Sequence, residues 1–160
     1  DVCSSDLITA QTKEKGLRAI AGKKNITLIN ISSSRMLNAY GFLRRIFAIF
    51  DTYKTPVDLI ATSEVSVSMT IDYVDALDDI VEELKEIGKV SIENNNSIIC
   101  LVGKNFWQDS GFIARVFSSI NPIKMRMISL GSSDINLSLV VSSDEFETSI
   151  KKLHDEFFKP

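Results

Sequence analysis

Apolar positions in this chain change period along its length, and each change marks an element. Residues 16–21 alternate and predict a short strand, and Ile26-Thr27-Leu28-Ile29-Asn30-Ile31 predicts a second. A polar stretch, Ser32-Ser33-Ser34, opens the loop that runs to Tyr40. Leu43, Ile46, Phe47 and Phe50 then fall at i, i+3, i+4 and i+7, which is one face of a helix. Segments 57–62 and 65–71 are rich in β-branched residues and flank Ser63-Glu64, the pattern of a hairpin. Helical spacing returns at Leu77, Ile80, Leu84 and Ile87, with Gly88 placed to end that helix. Residues 90–92 predict a further strand, and Asn94-Asn95-Asn96 reads as a linker.

A second series follows in the same order. It runs strand 98–102, helix 112–120, strands 124–130 and 135–141, and a last helix with Phe146, Ile150, Leu153 and Phe157 inward. The order β-α-β-β-α-β is that of a ferredoxin-like unit, an α+β arrangement of antiparallel sheets with helices on one face. The second series ends one strand short, which would leave an unpaired edge. Residues 17–21 have the character to supply that strand. The expected organisation is therefore a first unit at 25–95 inserted into a second made of 16–24 and 97–158. Residues 1–15 are polar and read as a flexible lead-in.

The two series are also similar residue by residue. Gly41 to Thr70 lies on Gly111 to Val140 without a gap, at a constant offset of 111 − 41 = 70. Gly41-Phe42-Leu43-Arg44-Arg45-Ile46-Phe47 meets Gly111-Phe112-Ile113-Ala114-Arg115-Val116-Phe117, and Thr62-Ser63-Glu64-Val65 meets Ser132-Ser133-Asp134-Ile135. Agreement over a helix, a turn and a strand indicates one folding unit used twice. Duplicated small modules usually bind or assemble.

Composition narrows the function. The chain has 160 residues, 44% of them hydrophobic, enough for a sizeable core. A net charge of −3 weighs against a nucleic-acid partner. No apolar run approaches the roughly 20 residues that span a bilayer, so no membrane partner is expected. With no signal-peptide pattern and Asp1 as first residue, the chain reads as a cytoplasmic piece of something longer. Cys3 and Cys100 are expected as reduced thiols. His154 is the only histidine, so a metal site or His-based dyad lacks partners, and it reads as a surface or boundary residue. The glycines match no phosphate-binding loop or dinucleotide fingerprint. The acidic run from Asp75 to Glu86 reads as a solvated helix face, and Trp107 as packing under the second unit's first helix in preference to covering an interface. No nucleophile and base can be assembled, so catalytic residues are not expected.

One constellation does suggest a ligand. The loop from Met36 to Gly41 leads into a helix whose first N–H groups can receive a carboxylate, aided by the helix dipole. Asp58 begins the adjoining strand and could accept from an ammonium group, and Thr62, Ser63 and Glu64 form a polar turn at its far end. Together they would suit a zwitterionic small molecule. Alternatively, Asp58 merely starts a strand and Ser63-Glu64 merely turns the chain. The residues leave both readings open.

The run Val57-Asp58-Leu59-Ile60-Ala61-Thr62-Ser63-Glu64-Val65-Ser66-Val67, preceded by Gly41-Phe42-Leu43, resembles the regulatory region of aspartate kinase. Residues 16–158 as a whole are similar to its tandem ACT domains, with Lys124-Met125-Arg126-Met127-Ile128-Ser129 and Asn136-Leu137-Ser138 in the second copy. Ser34-Arg35-Met36-Leu37 looks most like the monofunctional lysine-sensitive branch. The resemblance implies an allosteric sensor that binds an end-product amino acid, L-lysine above all, at a homodimer seam between the first copies and so feedback-inhibits the kinase. It implies that Met36, Gly41, Phe42 and Leu43 hold the ligand carboxylate, that Val57 and Asp58 hold an amine, that Thr62, Ser63 and Glu64 contribute, and that Asn38 belongs to the same lysine-binding set. ATP and Mg would belong to a kinase domain of the same polypeptide that is absent here, so this fragment should need no cofactor and catalyse nothing. The branch pattern commonly has a His-Ser pair at Asn38-Ala39 and a small polar residue at Pro56. Two alternatives stand beside this one: a ligand-free structural dimerisation module, and a sensor of threonine or methionine.

Overall fold

Two strands carry both copies of the repeat. The computed structural model describes residues 6–10 (backbone only), 16–34, 40–105, 109–132 and 136–159. Strand β1 is Asp6–Ala10, and β2 runs unbroken over Gly16–Ser32, where the sequence pattern suggests two separate strands. In order there follow α1 (Phe42–Thr52), β3 (Leu59–Thr62), β4 (Ser66–Ile71), α2 (Leu77–Lys85) and β5 (Lys89–Lys104). Then come α3 (Phe112–Ile120), β6 (Met127–Leu130), β7 (Asn136–Ser142) and α4 (Phe146–Phe158). The linker expected at Asn94-Asn95-Asn96 thus lies inside β5. Asn25 and Asn95, at φ 61° and 60°, explain the difference. A single left-handed asparagine interrupts the regular backbone of each strand without ending it, at less cost than most residues would incur.

The chain divides at these asparagines into Ile26–Asn94 and a second unit of Asp1–Asn25 with Asn95–Pro160. In the 26–94 unit the strand order is β3-β4-β2-β5. β2 and β4 are antiparallel from Thr27 opposite Ile71 to Ser32 opposite Ser66. β3 pairs with β4 from Leu59 opposite Thr70 to Thr62 opposite Val67 and stands at the edge. Alternate residues Ile29 and Ile31 of β2 and Val67, Met69 and Ile71 of β4 face one side. There they meet Phe42, Ile46, Ile49 and Phe50 of α1 and Ile80 and Leu84 of α2. Burial of these side chains, each stabilising by about 1.5–3 kcal/mol, holds both helices on one face. On the other face Asn30 Nδ2 donates to Ser68 Oγ at 2.8 Å.

Gly88 does not act as a left-handed helix stop. A Cβ there would lie 2.7 Å from the Ser32 carbonyl oxygen, so the glycine is set by the close approach of the chain to β2.

The other unit orders its strands β2-β5-β7-β6, with β1 paired to β2. Its core repeats the first at the same offset: Ile99, Leu101, Phe112, Val116, Ile120, Leu137, Leu139, Val141 and Ile150 stand where Ile29, Ile31, Phe42, Ile46, Phe50, Val67, Met69, Ile71 and Ile80 stand. Ile20 joins this core from β2, the strand supplied from the other end of the chain. The lead-in reading fails for residues 6–10, which form β1 from Asp6 opposite Gly22 to Ala10 opposite Ala19, with an irregularity between Leu7 and Thr9. Leu7, Ile8 and Thr9 favour strand, and β2 offers unpaired backbone groups to receive them. Among the described residues no helix is long and apolar enough to cross a membrane.

Candidate functional site at the edge of the 26–94 unit

α1 begins from Gly41, whose φ of +77° puts it in the left-handed region where other residues are strained. Its carbonyl accepts from Arg45 N at 3.1 Å, and among the described residues no side chain caps the first N–H groups. The first turn carries no acidic residue, so the positive end of the helix is not neutralised locally. Phe42 is buried in the core, whereas Leu43 is 40% exposed beside it. Met36 and Asn38 lie outside the described residues.

At the edge strand, Val57 is half-buried and packs on the core of its unit. Asp58 is exposed, and its N–H donates to the Thr70 carbonyl at 2.8 Å just before β3 begins. Ser63 shapes the turn: its N–H donates to the Ser66 carbonyl at 2.8 Å and its Oγ accepts from Ser66 N at 3.1 Å. Thr62 and Glu64 are exposed on either side.

These residues form two groups rather than one. Ser33 N donates to the Val65 carbonyl at 2.9 Å, so the Thr62–Glu64 turn sits at the end where β2 finishes. α1 runs back from its start at Gly41 to Thr52, six residues before Asp58 (58 − 52 = 6). Asp58 therefore follows the C-terminal end of α1, whereas Gly41-Phe42-Leu43 stands at its start, and an 11-residue helix is about 16 Å long. A cleft of about 350 Å³ opens at the end of β2, lined by residues 32–34 and 85–89. Sequence reasoning did not single out Lys85 or Lys89, because only the sheet brings them beside the serines.

Of the remaining sequence candidates, His154 and Cys100 belong to the other unit. His154 is half-buried with its ring 5.3 Å from Phe158. Cys100 is a half-buried free thiol on β5. Trp107 and Cys3 lie outside the described residues. Among the described residues no cluster of His, Cys, Asp or Glu is arranged to hold a metal.

Comparison with known proteins adds identity to this geometry. The model of the ACT domain matches residues 99–157. The chain is 41% identical over 156 residues to aspartokinase 3, chloroplastic, of Arabidopsis thaliana, covering 89% of this chain and 27% of that protein. It thus spans about a third or less of the length of the curated relatives it matches. E. coli aspartokinase III in complex with lysine and aspartate, a T-state structure, superposes with a TM-score of 0.81 at 34% identity, over 93% of this chain and 35% of that one. A structure assigned to the C-terminal regulatory domain of aspartate kinase from Porphyromonas gingivalis W83 superposes with a TM-score of 0.78 at 40% identity, over 88% of this chain and 97% of that one. With both chains matched over nearly their whole length, the protein belongs to the ACT-domain regulatory regions of aspartate kinases.

Proposed function

We propose that this chain senses an end-product amino acid, L-lysine, for an aspartate kinase and lowers that enzyme's activity when lysine binds. The observation that carries the reading is the likeness to E. coli aspartokinase III, which has been seen with lysine in a T-state and with aspartate and ADP in an R-state. The kinase, using ATP and magnesium to phosphorylate aspartate, would be supplied by residues beyond this chain.

The two half-sites become one if two copies pair through β3. An antiparallel pairing of edge strands about a twofold axis sets the Asp58 end of one copy beside the Thr62-Ser63-Glu64 end of the other. The helix start at Gly41-Phe42-Leu43 then offers N–H groups to the lysine carboxylate, Asp58 takes an ammonium group, and the polar turn completes the shell. Lysine would bridge the two copies and favour one arrangement of the paired sheets. In the whole enzyme that preference is reciprocal, so ligands that favour the active arrangement weaken lysine binding by the same factor.

Calorimetric titration of the chain with L-lysine, L-threonine and L-methionine tests this. Saturable lysine binding, with twofold-equivalent sites and no response to the others, is expected. Silence to all three, with the chain still dimeric, would favour a scaffold that pairs without ligand.

A further inference from the structure

The two units finish one of their sheet edges differently. β1 covers β2 from Gly22, opposite Asp6, to Ala19, opposite Ala10. The repeat offset of 70 carries residues 19–22 onto residues 89–92 of β5 (19 + 70 = 89 and 22 + 70 = 92). In the 26–94 unit β5 stands last in the order β3-β4-β2-β5, and its pairing with β7 begins only at Asn96. Among the described residues no strand therefore lies along the outer side of residues 89–93. Such an edge presents a row of N–H and C=O groups and is a template for another strand.

The edge reads Lys89-Val90-Ser91-Ile92-Glu93. Successive residues of a strand face opposite sides. Val90 packs on the core of its unit, so Ile92 projects to that same side, where it is 38% exposed. Lys89, Ser91 and Glu93 take the other side and are exposed.

We propose that this edge is a seam between two copies of the chain, at which residues 89–93 of each pair antiparallel about a twofold axis at Ser91. Charge complementarity picks the occupant. A twofold pairing centred on Ser91 sets opposite each other residues whose numbers sum to 182 (91 + 91 = 182). Lys89 then meets Glu93 of the other copy, twice over, and Val90 meets Ile92, so each charge faces its opposite and the exposed isoleucine gains an apolar neighbour. Charges on an edge strand ordinarily keep copies apart. Here they specify one register, because centring the pairing on Val90 or Ile92 would set Lys89 opposite Ser91 or Asn95 and lose both ion pairs. The seam uses no residue of the effector site and does not rest on that reading.

Sedimentation of the full 160-residue chain across a dilution series, with no amino acid present, tests this against charge variants. Lys89→Glu and Glu93→Lys alone each set like charges across the seam and are expected to weaken association by about tenfold. The double variant Lys89→Glu/Glu93→Lys exchanges the partners and should associate as the parent chain does. An equimolar mixture of the two single variants should recover as well, because a copy with two acids then faces a copy with two lysines. Association through β3 is indifferent to these charges and would show as a step that all the chains share. Single variants that associate as well as the parent would overturn the seam. So would single variants whose weakness persists in both the double variant and the mixture, since that would mean damage within one copy. A parent chain that stays monomeric throughout the series overturns it too.

Discussion

Asn25 and Asn95 occupy the same place in the two copies of the repeat (95 − 25 = 70) and share a left-handed backbone, φ 61° and 60°. Each sits where a strand passes from one unit to the other. For a residue with a Cβ this conformation costs about 1–2 kcal/mol, least for asparagine and nothing for glycine. Asn25→Gly and Asn95→Gly are therefore expected to hold or slightly raise the urea midpoint. Asn25→Val and Asn95→Val should each lose about 1–2 kcal/mol, since branching at Cβ adds to the penalty. Valine tolerated as well as glycine would mean that the turn can be made another way.

Two other glycines differ in how much their surroundings can yield. A Cβ at Gly88 meets the backbone carbonyl of Ser32, which the β2–β4 ladder holds in place. A Cβ at Gly22 would overlap the far edge of the Phe146 ring, a buried side chain that can shift only by disturbing its core. Both alanine variants should destabilise by about 1–3 kcal/mol. Only Gly22→Ala should be rescued by a second change, Phe146→Leu, because that change removes the opposing atoms. A double-mutant cycle in urea measures the rescue, and strict additivity would contradict the overlap.

Much of this was legible in the sequence, for physical reasons that differ element by element. Leu43, Ile46, Phe47 and Phe50 give α1 away because only a helix puts that spacing on one face. The insertion of one unit into the other could be inferred because the second series lacks a strand and residues 17–21 can fill it. The continuous β2 and β5 could not be, since Asn94-Asn95-Asn96 has the composition of a linker and only the ladder reveals that its backbone is paired. Gly88 is similar: its sequence position suits a helix stop, while its cause is a carbonyl more than fifty residues away. The separation of Asp58 from Gly41 was hidden too, because nearness in sequence says nothing about which end of a strand a residue occupies.

The link between α1 and α2 should show in the alkaline range. Tyr53, just past α1, donates its hydroxyl to Glu83 Oε1 at 2.6 Å, and this hydrogen bond, with the nearby carboxylate charge, pushes the phenol up to about 12. The folded protein then holds the phenolic proton more tightly than the unfolded chain, whose tyrosine titrates near 10. The resulting stabilisation is complete below pH 10 and is lost as pH rises from 10 toward 12. Tyr53→Phe should flatten that part of the stability-against-pH curve and leave the neutral region little changed. A curve as steep in the variant as in the parent would place the alkaline loss elsewhere.

Asp58 offers the sharpest test of a site shared between two copies. Its backbone N–H donates to the Thr70 carbonyl, a bond that every residue except proline can provide. Asp58→Ala keeps that bond and should lose lysine binding, and a cooperative urea transition in the variant shows that the loss is not one of folding. If the groups around lysine come from both copies, lysine must tighten the dimer by as much as dimerisation tightens lysine binding. Sedimentation across a dilution series should then show lysine moving dissociation to lower protein concentration in the parent chain, with no such movement in Asp58→Ala. Lysine bound with undiminished affinity by dilute, monomeric chains would place the whole site within one copy. It would leave the edge strand β3 with a purely structural part to play.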